Sequence, residues 1–371
     1  MGLGRPAVEA VGVDPGFWAG RRVLVTGHNG FKGAWLTLWL RSMGAEVVGL
    51  SGPLGSGPSL YELASVGEGI SSVEGDVRDR EAVVAAVREA DPEVVLHLAA
   101  QPIVRRSYKE PGATYAINVM GTVNVLDGVR EMPSVRAVVV VTSDKCYLNR
   151  GWEWGYREDE PLGGEDPYSS SKACAELVAF AYRSSFFSSP EGPRVATARA
   201  GNVIGGGDFG EDRLVPDVMR AAAAGEPVTI RNPGAVRPWQ HVLAPLSGYL
   251  MLAERLCDSP DYATAFNLGP PESDARTVGW VVDRLAELWP DGIERHLPRG
   301  DTGPPEARTL KLDSSRARER LGWDPPWTLD QALQAVVDWY VAHRDGGDLR
   351  AVVLDQIAAF SGARESARPA S

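Results

Sequence analysis

Two short stretches bring together residue types that could do chemistry. In Tyr168-Ser-Ser-Ser-Lys172 the aromatic and basic residues are four apart, which on a helix sets a phenol and an ammonium on one face, a turn from each other. An ammonium beside a phenol stabilises the phenolate and lowers its pKa from about 10, so the pair can exchange a proton with a sugar or alcohol hydroxyl. Upstream, Ser143-Asp144-Lys145 offers a hydroxyl, a carboxyl and an amine in succession, directly after the β-branched run Arg136 to Thr142. That is where a parallel strand would end, and open α/β sheets bind their ligands at that end.

A third feature precedes both by more than a hundred residues. Gly27, Gly30 and Gly33 punctuate Gly27-His28-Asn29-Gly30-Phe31-Lys32-Gly33. The spacing lets a strand turn tightly into a helix while backbone N–H groups approach a pyrophosphate. The pattern alone is weak. Here it lies between a strand predicted over Arg22 to Thr26 and a helix over Ala34 to Met43, with a second strand over Glu46 to Leu50 closing a βαβ unit, which points to dinucleotide binding. An acid at the end of that second strand would bond an adenosine ribose and repel a 2′-phosphate. Leu50-Ser51-Gly52 stands there instead, so these residues leave NAD against NADP open. Lys32 adds a cation to the loop, unless it is an ordinary solvated lysine.

The elements that must position these groups follow from periodicity. Helices are predicted over Arg80 to Glu89, Ala113 to Arg130 and Ser169 to Phe187, and strands over Glu93 to Leu98, Arg136 to Thr142 and Arg194 to Arg199. Such alternation predicts an α/β fold, a Rossmann-type doubly wound parallel sheet. After Ala200 glycines and prolines multiply and elements shorten, which predicts a smaller C-terminal α/β substrate domain. Its helices are expected at Leu214 to Ala224, Thr277 to Leu288, Ser314 to Leu321 and Leu329 to Arg344, with a strand at Val228 to Arg231. The resulting division assigns 15–200 to the dinucleotide-binding domain, with 242–268 returning to it, and 201–241 and 269–345 to the substrate domain. Residues 1–14 and 362–371 are expected to be flexible tails.

Composition narrows the partners. The chain has 371 residues, 49 acids and 38 bases, a net charge of −11, which is a poor footprint for nucleic acid. The most apolar stretch, Ala34 to Leu50, is broken by Arg41 and Glu46, so no membrane span is expected. The opening residues lack an apolar core, and Cys146, Cys174 and Cys257 form no CxxC pair. These features suggest a cytoplasmic protein with ordinary thiols and no metal site.

At this point the chain resembles the extended short-chain dehydrogenase/reductase superfamily and, within it, the nucleotide-sugar 4,6-dehydratases, above all those acting on CDP-glucose. The likeness is carried by VLVTGHNGFKGAWLTLWL, HLAAQPIVRRSYKEP, TYAINVMGTVNVL, VTSDKCY, GYREDEPLGGEDPYSSSKACAELV, ARAGNVIGGGDFGEDRLVPD, RPWQHVLAPLSGYL and LGWDPPW. It implies NAD as cofactor, a nucleotide-diphosphate sugar as substrate, a homodimer, and an elimination with no net redox change. By the resemblance Tyr168, with Lys172 and Ser143, takes the C4 hydroxyl proton; Asp144 protonates the leaving C6 hydroxyl; and Lys145, where dTDP-glucose relatives carry a glutamate, is the base at C5. Cofactor contacts are carried over to Gly27, His28, Gly30, Phe31, Lys32, Gly33, Asp76, Val77, Ala99, Ala100, Gln101 and Asn118, beside Tyr168 and Lys172. Substrate contacts are carried over to Asn202, Arg213, Arg237 and His241. His97, in an apolar strand, reads as a core histidine, and Trp152 and Trp154 as either site edge or packing. The chain departs from the family at Pro305-Glu306-Ala307, where His-Glu-Ala is expected, and at His28-Asn29, where His-Thr is common. Two alternatives stay open, a 4-epimerase or dehydrogenase of the same superfamily and a non-catalytic cofactor sensor; the Asp144-Lys145 pair weighs against the first, the retained Ser143, Tyr168 and Lys172 against the second.

Overall fold

Runs of valine and leucine too short for helices become the strands of one parallel sheet. A computed structural model describes residues 12–366 except 190, 231 and 297–309. In it β1 (Arg22–Thr26), β2 (Glu46–Ser51), β3 (Ser71–Glu74), β4 (Val94–His97), β5 (Ala137–Val141) and β6 (Arg194–Ala200) lie parallel. Strands β4 and β5 are buried at every residue, as strands covered by helices on both faces must be. Short strands follow: β7 (Val203–Ile204), β8 (Val228–Thr229), β9 (Val236–Pro238) and β10 (Gln240–His241). The chain then returns through helix Leu243–Asp258 to β11 (Ala265–Leu268), which pairs with β6 and completes the order β11-β6-β5-β4-β1-β2-β3. Beyond it β12 (Ala275–Thr277) pairs with β9, and β13 (Arg295–His296) with β8.

Two apolar clusters sandwich this sheet. One contains Leu24, Val95, Val138 and Val195 against helices Arg80–Ala90 and Gly121–Arg130. The other joins Val25, Leu96 and Val139 to helices Phe31–Ser42, Leu243–Asp258 and Leu329–Arg344. The order reverses at β1, whose neighbours are β2 and β4, so the crevice at the carboxyl ends opens where the glycine turn sits.

Several expectations shift. The helix expected from Ala34 begins at Phe31, because Gly30 already has the extended backbone of an N-cap. The helix expected over Ala113 to Arg130 is reached through Pro111–Tyr115 and a π turn at Ala116–Met120 before Gly121–Arg130. Strand β3, with the pattern Ser-Ser-Val-Glu, has one apolar residue and no periodicity to reveal it. The carboxyl-terminal helix runs over Leu349–Ser366 and packs Val353, Ile357 and Phe360 into the core; the tail expected from 362 therefore begins within a helix. Pro305-Glu306-Ala307 lies outside the described residues.

Candidate active site

The three stretches singled out in the sequence meet at the carboxyl ends of β1, β4 and β5, in one cleft of about 1780 Å³. Tyr168 and Lys172 occupy the first two turns of helix Pro167–Ser185. Asp166 caps that helix by accepting from Ser169 N at 2.9 Å, and Pro167 begins it, a pairing that favours a helix start. Both side chains line the cleft and both residues are buried. Lys172 Nζ donates to the Val141 carbonyl at 3.2 Å, which ties the ammonium to the end of β5. Burial pushes the Tyr168 phenol up to about 12, while its hydrogen bond with Ser143 pulls the other way. Burial pushes the Lys172 ammonium down to about 8 against the attraction of Glu176.

Ser143 caps a 3₁₀ turn, Asp144–Cys146, its Oγ accepting from Lys145 N at 3.2 Å. The same hydroxyl donates to Asp144 Oδ1 at 3.0 Å. Asp144 Oδ2 is buried without a hydrogen-bond partner. Desolvation raises the Asp144 carboxyl above its ordinary range, with Lys145, Ser143, Arg237 and Lys32 opposing. A carboxyl held towards its neutral form can donate a proton. Lys145 lines the cleft one residue on.

The glycine turn fits a dinucleotide. Gly27 has φ +74°, and a Cβ there would come within 2.8 Å of Ala99 Cα; a Cβ on Gly33 would collide with the Gly27 carbonyl. Only bare backbone lets the first turn of helix Phe31–Ser42 approach β1 and leave its N–H groups facing the cleft, the arrangement that holds a pyrophosphate. Gly30, Phe31, Asp76, Val77, Ala99 and Ala100 line the same wall. The Asp76 carboxylate is held below its usual range by Arg78, whose Nε and Nη2 donate to it at 2.5–3.0 Å. At the end of β2 the wall consists of Ser51, Gly52 and Pro53, then Pro58, Ser59 and Leu60. These carry no carboxylate for the ribose and no cation for a 2′-phosphate. Lys32 also lines the cleft, its ammonium pushed down to about 8 by burial and by Arg213 and Lys172.

Across the cleft stand Asn202, Arg213 and Arg237. Arg213 is held by Asp208 at 2.9 Å. Arg105 pairs with Asp212 at 3.2 Å between the two walls. Sequence reasoning missed Asp208, Arg105 and Asp212; the two aspartates come from loops and Arg105 from the short helix Val104–Lys109, with no spacing rule to link them, and only the fold brings 105 and 212 together.

Four expected contacts lie elsewhere. The His241 ring packs between Trp35 and Trp327, centroids 5.6 and 5.0 Å away, outside the main cleft. The His28 ring turns under Gly49 and bonds Ser51 and Ser72, both at 2.8 Å. Gln101 spends its amide on Ile103 and Thr114. Asn118, within the π turn, accepts from Gln101 N at 2.8 Å and donates to Ser171 at 2.8 Å. It braces the cofactor loop against the Tyr168 helix from behind. His97 bonds Thr26 and Thr122 inside the core, and Trp152 stacks on Tyr156 and meets Trp154 at a tilt.

A Rossmann sheet with a glycine turn at its switch point and a Ser-Tyr-Lys set facing it defines a nicotinamide-dinucleotide enzyme of the short-chain dehydrogenase/reductase type. Residues 23–269 match the NAD dependent epimerase/dehydratase family, and the chain belongs to that family. It is 49% identical over 342 residues to a CDP-glucose 4,6-dehydratase of Salmonella typhimurium, covering 91% of this chain and 95% of that protein. It is 30% identical to a dTDP-glucose 4,6-dehydratase of Xanthomonas campestris, over 86% and 93% of the two chains. Among solved structures, the Thermus thermophilus UDP-glucose 4-epimerase in complex with NAD superposes with a TM-score of 0.73 at 26% identity, over 86% of this chain and 99% of that one.

Proposed function

We propose that this protein is a nucleotide-sugar 4,6-dehydratase that converts CDP-glucose to CDP-4-keto-6-deoxyglucose. The observation that carries the elimination is the buried Asp144 carboxyl, one oxygen fixed by Ser143 and the other unpartnered, beside Tyr168 and Lys145 in one cleft. An epimerase that only removes and returns hydride at C4 has no use for such an acid.

Tyr168 acts as its phenolate, the form its hydrogen bond with Ser143 favours against burial, and takes the proton of the C4 hydroxyl, with Lys172 one turn further along the same helix. Bound against the glycine turn, NAD supplies the acceptor for the C4 hydride and its return to C6. Ketone formation at C4 makes the C5 hydrogen acidic, and Lys145 removes it. Asp144 gives its proton to the C6 hydroxyl, which leaves as water. Asn202, Arg213 and Arg237 are placed to hold the diphosphate, two of them by charge. His241, Gln101 and Asn118 have no direct part in this scheme.

In the same reading 15–200 with 242–268 forms the dinucleotide half, and 201–241 with 269–345 the nucleotide-sugar half. The active form is a homodimer. Tyr108, Tyr115, Met120, Leu177, Phe180 and Phe186 are large apolar side chains left exposed on or beside the helices around 104–120 and Pro167–Ser185, apolar surface that a second copy would cover. Among the described residues no helix is long and apolar enough to cross a membrane, and Cys146, Cys174 and Cys257 are free thiols, which suits the cytoplasm. Incubation with CDP-, dTDP-, GDP- and UDP-glucose, followed by mass spectrometry, tests the reading. CDP-glucose should lose one water and the others react far more slowly; recovery of an unchanged-mass epimer would overturn it.

A further inference from the structure

Directly beneath the catalytic segment lies an ion pair for which the proposed chemistry has no use. Glu176 and Arg199 are each almost wholly buried, 3% and 4% exposed in their side chains, and meet at 2.8 Å. Glu176 stands one turn beyond Lys172 on the same face of helix Pro167–Ser185, and Arg199 lies on β6. The carboxylate accepts from Thr142 Oγ1 with one oxygen, and from Thr197 Oγ1 at 2.7 Å with the other. The guanidinium donates at 2.7 Å to the Tyr147 hydroxyl, which in turn donates at 2.7 Å to Asn267 on β11. Thr142 and Tyr147 bracket Ser143, Asp144, Lys145 and Cys146, so the pair grips both ends of the segment that carries the acid and the base.

We propose that the Glu176–Arg199 pair is a positioning unit that fixes the segment 143–146 from its two ends and holds the Glu176 carboxylate one helical turn from Lys172. This rests on the reading of Tyr168 and Lys172 as the proton-transfer pair. A buried ion pair is weak evidence for stability, since desolvating two charges offsets most of their attraction. Its placement is more informative. Lys172 faces Tyr168 and Glu176 on its own helix and Cys146 on the 3₁₀ turn, with Lys32 from the glycine turn and His97 from β4 within electrostatic reach. Burial opposes its charge. Of the groups acting to preserve it Glu176 has the largest effect, ahead of Cys146. Burial likewise works against the Arg199 charge, and Glu176 helps to overcome it.

Glu176, one turn from Lys172 on the same helix, therefore favours the ammonium, an influence that a purely structural role would not give. The chain holds five lysines, Lys32, Lys109, Lys145, Lys172 and Lys311, so carbon-13 labelling at Cε resolves them in the full-length protein, and the signal lost in Lys172→Met identifies Lys172. Its midpoint should lie near pH 8 in the unaltered protein. Glu176→Gln should lower it by about one unit, since a charge at this range shifts a pKa by roughly that much. The alkaline limb of kcat/KM should follow. A midpoint that stays put, or rises, overturns the charge role. If the single variant does not fold, Glu176→Gln/Arg199→Met leaves no unpaired charge and should still lower the midpoint, because the carboxylate is on the helix of Lys172; an unchanged midpoint again overturns it. Thr142→Val tests the grip by removing one hydroxyl, with kcat expected to fall about tenfold at constant KM and unchanged kcat counting against it. The titration needs no substrate, so it stands apart from any failure of the function itself, which would show as no loss of water by the unaltered enzyme.

Discussion

Lys145 has the hardest task at the residue scale, because an amine removes a proton only when neutral and an ordinary lysine titrates near 10.4. Lys145→Met should still oxidise C4, seen as a transient of reduced cofactor, yet exchange the C5 hydrogen with solvent and lose water very slowly. Single-turnover runs in deuterated water separate these steps, and rapid C5 exchange in the folded variant would remove Lys145 as base. Tyr168→Phe deletes one oxygen and should lower kcat at least about 10²-fold while cofactor still binds. The histidines have a different meaning. Burial lowers His28 to about 4 and both His97 and His241 to about 3, from an ordinary 6.5. They are neutral in the fold, so their contribution to stability is present above pH 6.5 and lost as pH falls towards 4 and 3. Melting temperature should drop over that interval. His241→Phe keeps the ring between Trp35 and Trp327 but removes the titration, so the drop should become shallower with turnover within about threefold; a large loss of turnover would restore His241 to the substrate site.

The glycine turn depends on backbone that carries no side chain. A Cβ at position 33 has no space beside the Gly27 carbonyl, so Gly33→Ala must move the first turn of helix Phe31–Ser42 away from β1. Cofactor affinity, read by fluorescence titration, should fall at least about tenfold; unchanged affinity would contradict the cradle. This turn, the strand ends and the Tyr168 helix were legible because each depends on local spacing. Gly-x-x-Gly-x-x-Gly and YxxxK declare their geometry within seven residues. Helix Leu214–Ala224 has the bounds that its sequence predicts, with Gly225 at φ +67° to stop it. What stayed hidden depends on partners far along the chain. Nothing near His241 tells that its neighbours are Trp35 and Trp327, and nothing near Ser71–Glu74 tells that it pairs with β2. Asn118 and Gln101 were recognisable as important by resemblance, but only the fold shows that they brace the loop instead of lining the cleft.

Over the whole molecule, one cleft at the switch point of the sheet joins a dinucleotide wall to a wall bearing Arg213 and Arg237. The exposed Leu177 and Phe180 on helix Pro167–Ser185 lie on the helix that carries Tyr168 and Lys172, so a dimer formed there would support both. Phe180→Glu should yield a monomer by light scattering with reduced activity, and an intact dimer would place the interface elsewhere. In the proposed reaction hydride leaves C4 and returns at C6 inside one active site, with water lost between, and CDP-glucose bearing deuterium at C4 tests this. The product should be lighter by one water, carry the deuterium at C6, and form without accumulation of NADH; label washed into solvent, or NADH rising in step with product, would contradict the account.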